Sequence, residues 1–123
     1  KQVIHIASTR AFLDTVKLDH AIWKNNIYRL LQKGAFGESI NSHTECRLGQ
    51  WYYRGDGKAY SHLRSYALLE EPHKGVHDGG REAMSQAKSG NMAAMVTAIN
   101  AMEDASEQVV VQIDRLMDEI IAS

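Results

Sequence analysis

The chain is short of cysteine, proline and long apolar runs, with Cys46 and Pro72 the only residues of their kinds among 123. Each shortage excludes a class of protein. A lone cysteine forms no internal disulfide, so the fold is not a stapled secreted scaffold. No apolar stretch approaches the roughly 20 residues that cross a bilayer, and the opening Lys1-Gln2-Val3 does not read as a signal peptide. We therefore expect a cytoplasmic domain that makes no membrane contact. Neither sign of charge prevails, with 14 basic residues against 15 acidic. No basic stripe follows a predicted helix, which argues against nucleic acid as a partner. Nine glycines and one proline are too few for long disordered stretches, and 44 % hydrophobic residues at this length supply one core and hardly two. We expect one domain over residues 1–123. Helical periodicity begins almost at the first residue and no initiator methionine precedes it, so we expect a piece of a longer protein.

What is present is helical period. From Ile6, apolar residues recur with coiled-coil spacing at Leu13, Val16, Trp23, Ile27 and Leu30, and His20 fills the one gap. This first helix should end near Gly34, before a loop marked by Gly37, Ser39, Asn41 and Ser42. Cys46 then stands at a loop-to-helix junction. Leu48 and Trp51 anchor a short helix after it, Gly49 lets the backbone pass close to a neighbour, and Gly55-Asp56-Gly57 breaks the chain again. A further helical region is expected from Lys58, with Leu63, Tyr66, His73, His77, Gly80 and Met84 on one stripe. Pro72 should kink or split it, which would put both histidines near a helix start. After Ser89-Gly90-Asn91, a last helix carries Met92, Met95, Ile99, Met102, Val109, Ile113, Leu116 and Ile120 in a seven-residue repeat. The pattern holds no strand. The expected fold is all-α, an antiparallel four-helix bundle with a short extra helix carrying the cysteine.

Histidines at core positions next to a thiol point to a metal. His73 and His77 are one helical turn apart, about 6 Å along the axis, and project from one face. His20 adds a third imidazole and Cys46 a thiolate, a borderline-soft set that suits tetrahedral Zn2+. Binding would offset the cost of burying several imidazoles. His5 and His62 lie off the stripes and His43 lies in the polar loop, so all three read as solvated or supporting residues, with His43 the foremost exception. The methionines read as packing, and Glu103, Asp104 and Glu107 as a solvated face. Trp23 and Trp51 should hold core positions that wall the metal from water. The competing reading is a metalloenzyme or oxygen-handling bundle of the di-iron type. That would need two E-x-x-H elements, and the sequence has one, Glu70 to His73; it also lacks H-E-x-x-H, so a zinc hydrolase has no general base in the expected place. No catalytic activity is expected.

The order of these elements resembles a known family. Asp19-His20-Ala21-Ile22-Trp23-Lys24, then Cys46-Arg47-Leu48-Gly49-Gln50-Trp51-Tyr52, then His73-Lys74-Gly75-Val76-His77 is similar to the chemoreceptor zinc-binding domain over almost the whole chain. The resemblance implies a cytoplasmic helical bundle that binds zinc through His20, Cys46, His73 and His77. It implies attachment to the signalling domain of a bacterial chemotaxis receptor or a diguanylate cyclase, and a sensory role toward zinc itself or toward oxidants such as hypochlorous acid that attack the zinc-bound thiolate. It also implies a homodimer. Leftover apolar residues at Val3, Ile4, Ile6, Ile120 and Ile121 agree with that expectation.

Overall fold

The computed structural model describes residues 3–123, with side chains from His5 onward. Helix α1 spans Val3–Lys33, the short α2 Arg47–Arg54, α3 Arg64–Lys88 and α4 Met92–Ala122, with a 3-10 turn at Asp56–Tyr60; no strand occurs among the described residues. Cross-helix contacts give the direction of each element. Lys17 meets Asp114 and Lys24 meets Glu103, so α1 and α4 are antiparallel. Arg47 meets Asp19 and Trp51 meets Phe12, so α2 runs back along α1. Trp23 and Ile27 face Gly80, as His20 faces His73, so α3 runs with α1. The topology is an up-down-up-down helical bundle in which one of the four members is very short. Its most extensive interface is the α3–α4 hairpin.

Local chemistry explains the boundaries. Gly34 and Gly90 have φ of 72° and 79°, the left-handed conformation that ends α1 and α3 and favours glycine. Asn91 caps α4, its side chain accepting from the Ala94 amide at 3.0 Å. Helix α3 has no cap at Leu63. Instead Glu119 reaches across from the end of α4 to accept from the Ser65 amide at 3.0 Å and from its hydroxyl at 2.6 Å. Tyr52 and Tyr66 stack with ring centroids 3.9 Å apart, and each hydroxyl donates to the other's backbone carbonyl, which rivets α2 to α3.

Several expectations need correction. Pro72 neither splits α3 nor puts the histidines at its start, because the helix runs unbroken from Arg64 and His73 lies nine residues later. The carbonyl that Pro72 leaves without its helical donor belongs to Leu68, itself 42 % exposed, so water can satisfy it, while Leu69, His73 and Val76 hold both sides of the proline in the core. The helical region does not begin at Lys58. Gly57 is packed so tightly under the Trp51 ring that the chain makes a 3-10 turn before α3. Met92 opens α4 exposed, while Glu103 is half-buried, bonded to Lys24 at 2.8 Å and to the Tyr28 hydroxyl. Among the leftover apolar residues, Ile120 is buried and Ile6 half-buried. The side chains of Val3 and Ile4 lie outside the described residues.

The core joins Leu13, Val16 and Ile27 of α1 to Leu48 of α2, Leu69 and Val76 of α3, and Met102, Val109, Ile113 and Leu116 of α4. Helices α3 and α4 approach closely because Gly79 has no Cβ. One placed there would lie 2.9–3.0 Å from the Cβ, Cα and N of Met102, whereas at Gly75 it would meet the Ala105 methyl at 3.1 Å. We predict that Gly79→Ala destabilises the domain by about 1–3 kcal/mol through overpacking. Gly75→Ala should be close to neutral, since the methyl contact is offset by the roughly 1 kcal/mol by which alanine favours helix over glycine. Urea midpoints test the contrast, and equal midpoints for the two variants would refute it.

Candidate metal centre

The site lies where α1, α3 and the N-terminus of α2 meet. Along α1, the seam of Leu13, Val16, Ile27 and Leu30 is buried, and His20 occupies the same seam. His73 and His77 belong to the buried stripe of α3 and are 2 % and 1 % exposed. Cys46 is the half-buried N-cap of α2, its sulfur accepting from the Gly49 amide at 3.4 Å. Gly49 is required there, because a Cβ would fall 2.0 Å from the His43 carbonyl oxygen. The short helix is thereby clamped to the loop before it.

One ligand atom from each of His20, Cys46, His73 and His77 lies within 4.8 Å of all the others. The Cys46 sulfur is 3.1 Å from His73 Nε2. The three imidazoles stand nearly perpendicular to one another with centroids 4.9, 5.1 and 5.5 Å apart. His20 Nδ1 lies 2.9 Å from the Val16 carbonyl and His77 Nδ1 lies 3.1 Å from the Asn41 carbonyl. A carbonyl can only accept, so these nitrogens carry the ring protons and each Nε2 keeps a lone pair. Among the described residues, neither Nε2 has a hydrogen-bond partner, although both are buried. An acceptor left so costs on the order of 1–3 kcal/mol. Two orphaned lone pairs converging on a thiol fit a cation. The atoms of a tetrahedral zinc site, with bonds of about 2.0–2.3 Å, stand roughly 3.3–3.8 Å apart, so a closure of about an ångström at the widest pair suffices.

Protonation favours the same assignment. Burial pushes His73 down to about 2, with repulsion from His20 and His77 adding to it, and pushes His77 down to about 4 against the opposing Asn41 bond. Burial also lowers His20, opposed by its bond to Val16. All three rings are neutral at pH 7, the form that binds metal. Burial raises the Cys46 thiol, only partly opposed by the Gly49 and Leu48 amides, so a neighbouring cation would be needed to hold it as thiolate.

Beside the cluster is a cavity of 270 Å³ lined by Asp19, His20, Trp23, Cys46, Arg47 and His77. Trp23 walls it as expected, packed 4.4 Å from the His77 ring. Trp51 does not reach it; that ring packs between Phe12 and Tyr60, on the other flank of α2. His5 bonds to Tyr60 far from the cluster and His62 is exposed, whereas His43 lies edge-on to His73 at 5.8 Å. Glu70 accepts from the Tyr53 hydroxyl at 2.8 Å and is not in the cluster, so the four-residue set contains no carboxylate of the kind a di-iron bundle uses. The carbonyls of Val16 and Asn41, which set the imidazole tautomers, were not anticipated from sequence. Val16 could have been found as the residue one turn before His20; nothing in the sequence marks Asn41.

These shifts give the metal-free domain a definite pH response. Each histidine has a folded pKa below its unfolded value near 6.5. Below about pH 6.5 the unfolded chain therefore binds protons that the folded chain refuses, and stability is lost as pH falls. We predict a lower urea midpoint at pH 5 than at pH 7.5 for protein stripped with a chelator. Identical midpoints would show that the imidazoles are not buried as described.

The family model for the chemoreceptor zinc-binding domain matches residues 20–84. That span begins at His20, runs past His77 and contains the whole cluster. Neither a curated protein nor a solved structure matches the chain. With more than half of its length matched, the chain belongs to the chemoreceptor zinc-binding domain family.

Proposed function

We propose that residues 1–123 form one regulatory domain of a bacterial cytoplasmic chemotaxis receptor, joined to a signalling domain, and that His20, Cys46, His73 and His77 hold a single Zn2+. The observation that carries this reading is the convergence of two buried, partnerless imidazole nitrogens on a thiol. Bound there, the ion would supply the positive charge that keeps Cys46 as thiolate. The protein would fill all four coordination positions, which leaves none for a water nucleophile and favours regulation over catalysis.

The switch follows from how each ligand is carried. His20, His73 and His77 project from long packed helices, while Cys46 caps an eight-residue helix and is the easiest to release. It is also the ligand that oxidants convert. Attack of the thiolate on the chlorine of hypochlorous acid expels hydroxide, water then displaces chloride from the sulfenyl chloride, and the resulting sulfenic acid is a much poorer zinc ligand. The input is zinc occupancy or this oxidation, and the response is release of the α2 segment from α1 and α3. Support for a homodimer comes from Leu18 and Ile22 on α1, 60 % and 57 % exposed, and from Val96 on α4, 50 % exposed.

Four outcomes are expected. Metal analysis of protein prepared without chelator should find one zinc per chain, and a competition titration should show His77→Ala losing more affinity than Cys46→Ala. Absence of zinc, or equal losses, would count against the site or against the asymmetry. Hypochlorous acid should release zinc faster than hydrogen peroxide at equal concentration and leave helicity largely intact; the same response in Cys46→Ser would exclude the redox input and leave zinc sensing. Light scattering should report a dimer, and a monomer at high concentration would remove that part of the proposal.

A further inference from the structure

His43 lies next to the four-residue cluster but outside it. Its ring is edge-on to His73 with centroids 5.8 Å apart, scarcely wider than the 4.9–5.5 Å that separates the clustered imidazoles from one another. On its other side the ring meets Tyr53, also at 5.8 Å. The half-buried imidazole is therefore held at the edge of the site. We infer that His43 is a reserve metal ligand, which takes the fourth position beside His20, His73 and His77 when the Cys46 sulfur leaves it. This inference rests on the zinc-site reading above.

The local backbone makes the exchange short. His43 lies in the turn that leads directly into Cys46: the Glu45 amide donates to the Ser42 carbonyl at 3.1 Å, and the Cys46 thiol faces the His43 carbonyl at 3.6 Å. The tight approach of Gly49 to the same carbonyl ties that turn to the start of α2. Sulfur and imidazole are thus carried by neighbouring residues of one short segment beside the cluster. Loss of the sulfur would leave three imidazoles and an open position, which water would enter if no protein group did. A fourth imidazole three residues away fits better: it is a borderline ligand of the same type as the other three, and it needs side-chain rotation with a small shift of the turn, not unfolding of a helix. His5 and His62 have no such place. The consequence is that a domain with a modified thiol holds its metal more weakly and in a new geometry, and gives it up more slowly than it would without His43.

Cobalt(II) tests the exchange, because sulfur ligation gives a charge-transfer band and four-coordination gives intense visible absorption, whereas five- or six-coordination gives weak absorption. Wild-type protein loaded with Co2+ should show both features. Cys46→Ala should lose the sulfur band and keep the intense visible absorption. The double variant Cys46→Ala/His43→Ala should show a visible envelope changed from that of Cys46→Ala, as water replaces the fourth imidazole, and bind Co2+ at least roughly tenfold more weakly than Cys46→Ala, a difference of the size produced even by residues that support metal ligands. Circular dichroism reports folding, and Cys46→Ser with Cys46→Ser/His43→Ala provides the same comparison if the alanine pair folds poorly. Equal spectra and affinities with and without His43 would overturn the inference and leave the zinc site standing. A wild-type protein with no sulfur-to-cobalt band would overturn the zinc-site reading and this inference with it.

Discussion

The bundle depends on three imidazoles packed face to edge at the junction of α1 and α3, in space that a helical core normally fills with aliphatic carbon. Burial keeps them neutral, and in His20 and His77 backbone carbonyls decide which nitrogen is left facing inward. This arrangement is unfavourable by itself, since the inward lone pairs of His20 and His77 meet no donor. A cation reverses the sign of the interaction: the features that make the site costly when metal-free, low dielectric and unsatisfied acceptors, are those that make it bind metal. Stability and metal affinity are therefore coupled through the same nitrogen atoms.

How far this coupling reaches depends on what else holds each element. Helices α3 and α4 share the most extensive interface, and α3 is further fastened by the Glu119 cap. Helix α1 has the buried side chains of Leu13, Val16, Ile27 and Leu30, each contributing about 1.5–3 kcal/mol on burial. The surface ion pair from Lys17 to Asp114 adds on the order of 1 kcal/mol or less. These terms are large enough to keep the long helices docked when the site opens. Helix α2 is different: Leu48 and Tyr52 are its only large buried side chains, and the tyrosine rivet fastens one end of it to α3. The Cys46 end is held by the cluster and by the loop behind Gly49. Opening the site should therefore pivot α2 about its tyrosine end, leaving the rest of the bundle in place.

Most of this could be read before any coordinates. The heptad positions of α1 and α4 located the core, and the substitution of histidine for aliphatic residues in two such stripes located the cluster, because periodicity specifies which side chains share a face. What periodicity does not carry is the competition between a local rule and tertiary packing. Pro72 ought to interrupt α3, yet the residues on both sides are packed against other helices and the freed carbonyl sits on an exposed turn. Glu103 belongs by pattern to a charged face, but Lys24 and Tyr28 lie opposite it on α1, which only the register of two distant helices decides. Trp51 shares a motif with Cys46 and still points away, since five residues of helix turn it to the Phe12 flank.

The loop between α1 and α2 shows why the site needs more than its ligands. Asn41 contributes only a carbonyl, which nonetheless orients the His77 ring from a segment with no helical bonds of its own. Four residues on, Glu45 accepts from the Ser42 amide at 2.7 Å and closes the turn that presents His43 and Cys46. The same thirteen or so residues of loop therefore set the tautomer of one clustered imidazole and position the thiol, although α1 and α3 supply the other members of the cluster. A disturbance at the sulfur is transmitted first to this loop, through the His43 carbonyl and the Gly49 contact, and from there to the Asn41 carbonyl that holds His77. Thiol chemistry and imidazole orientation are thus linked by backbone, which lets an event at one half-buried sulfur alter the orientation of a ring buried on the next helix.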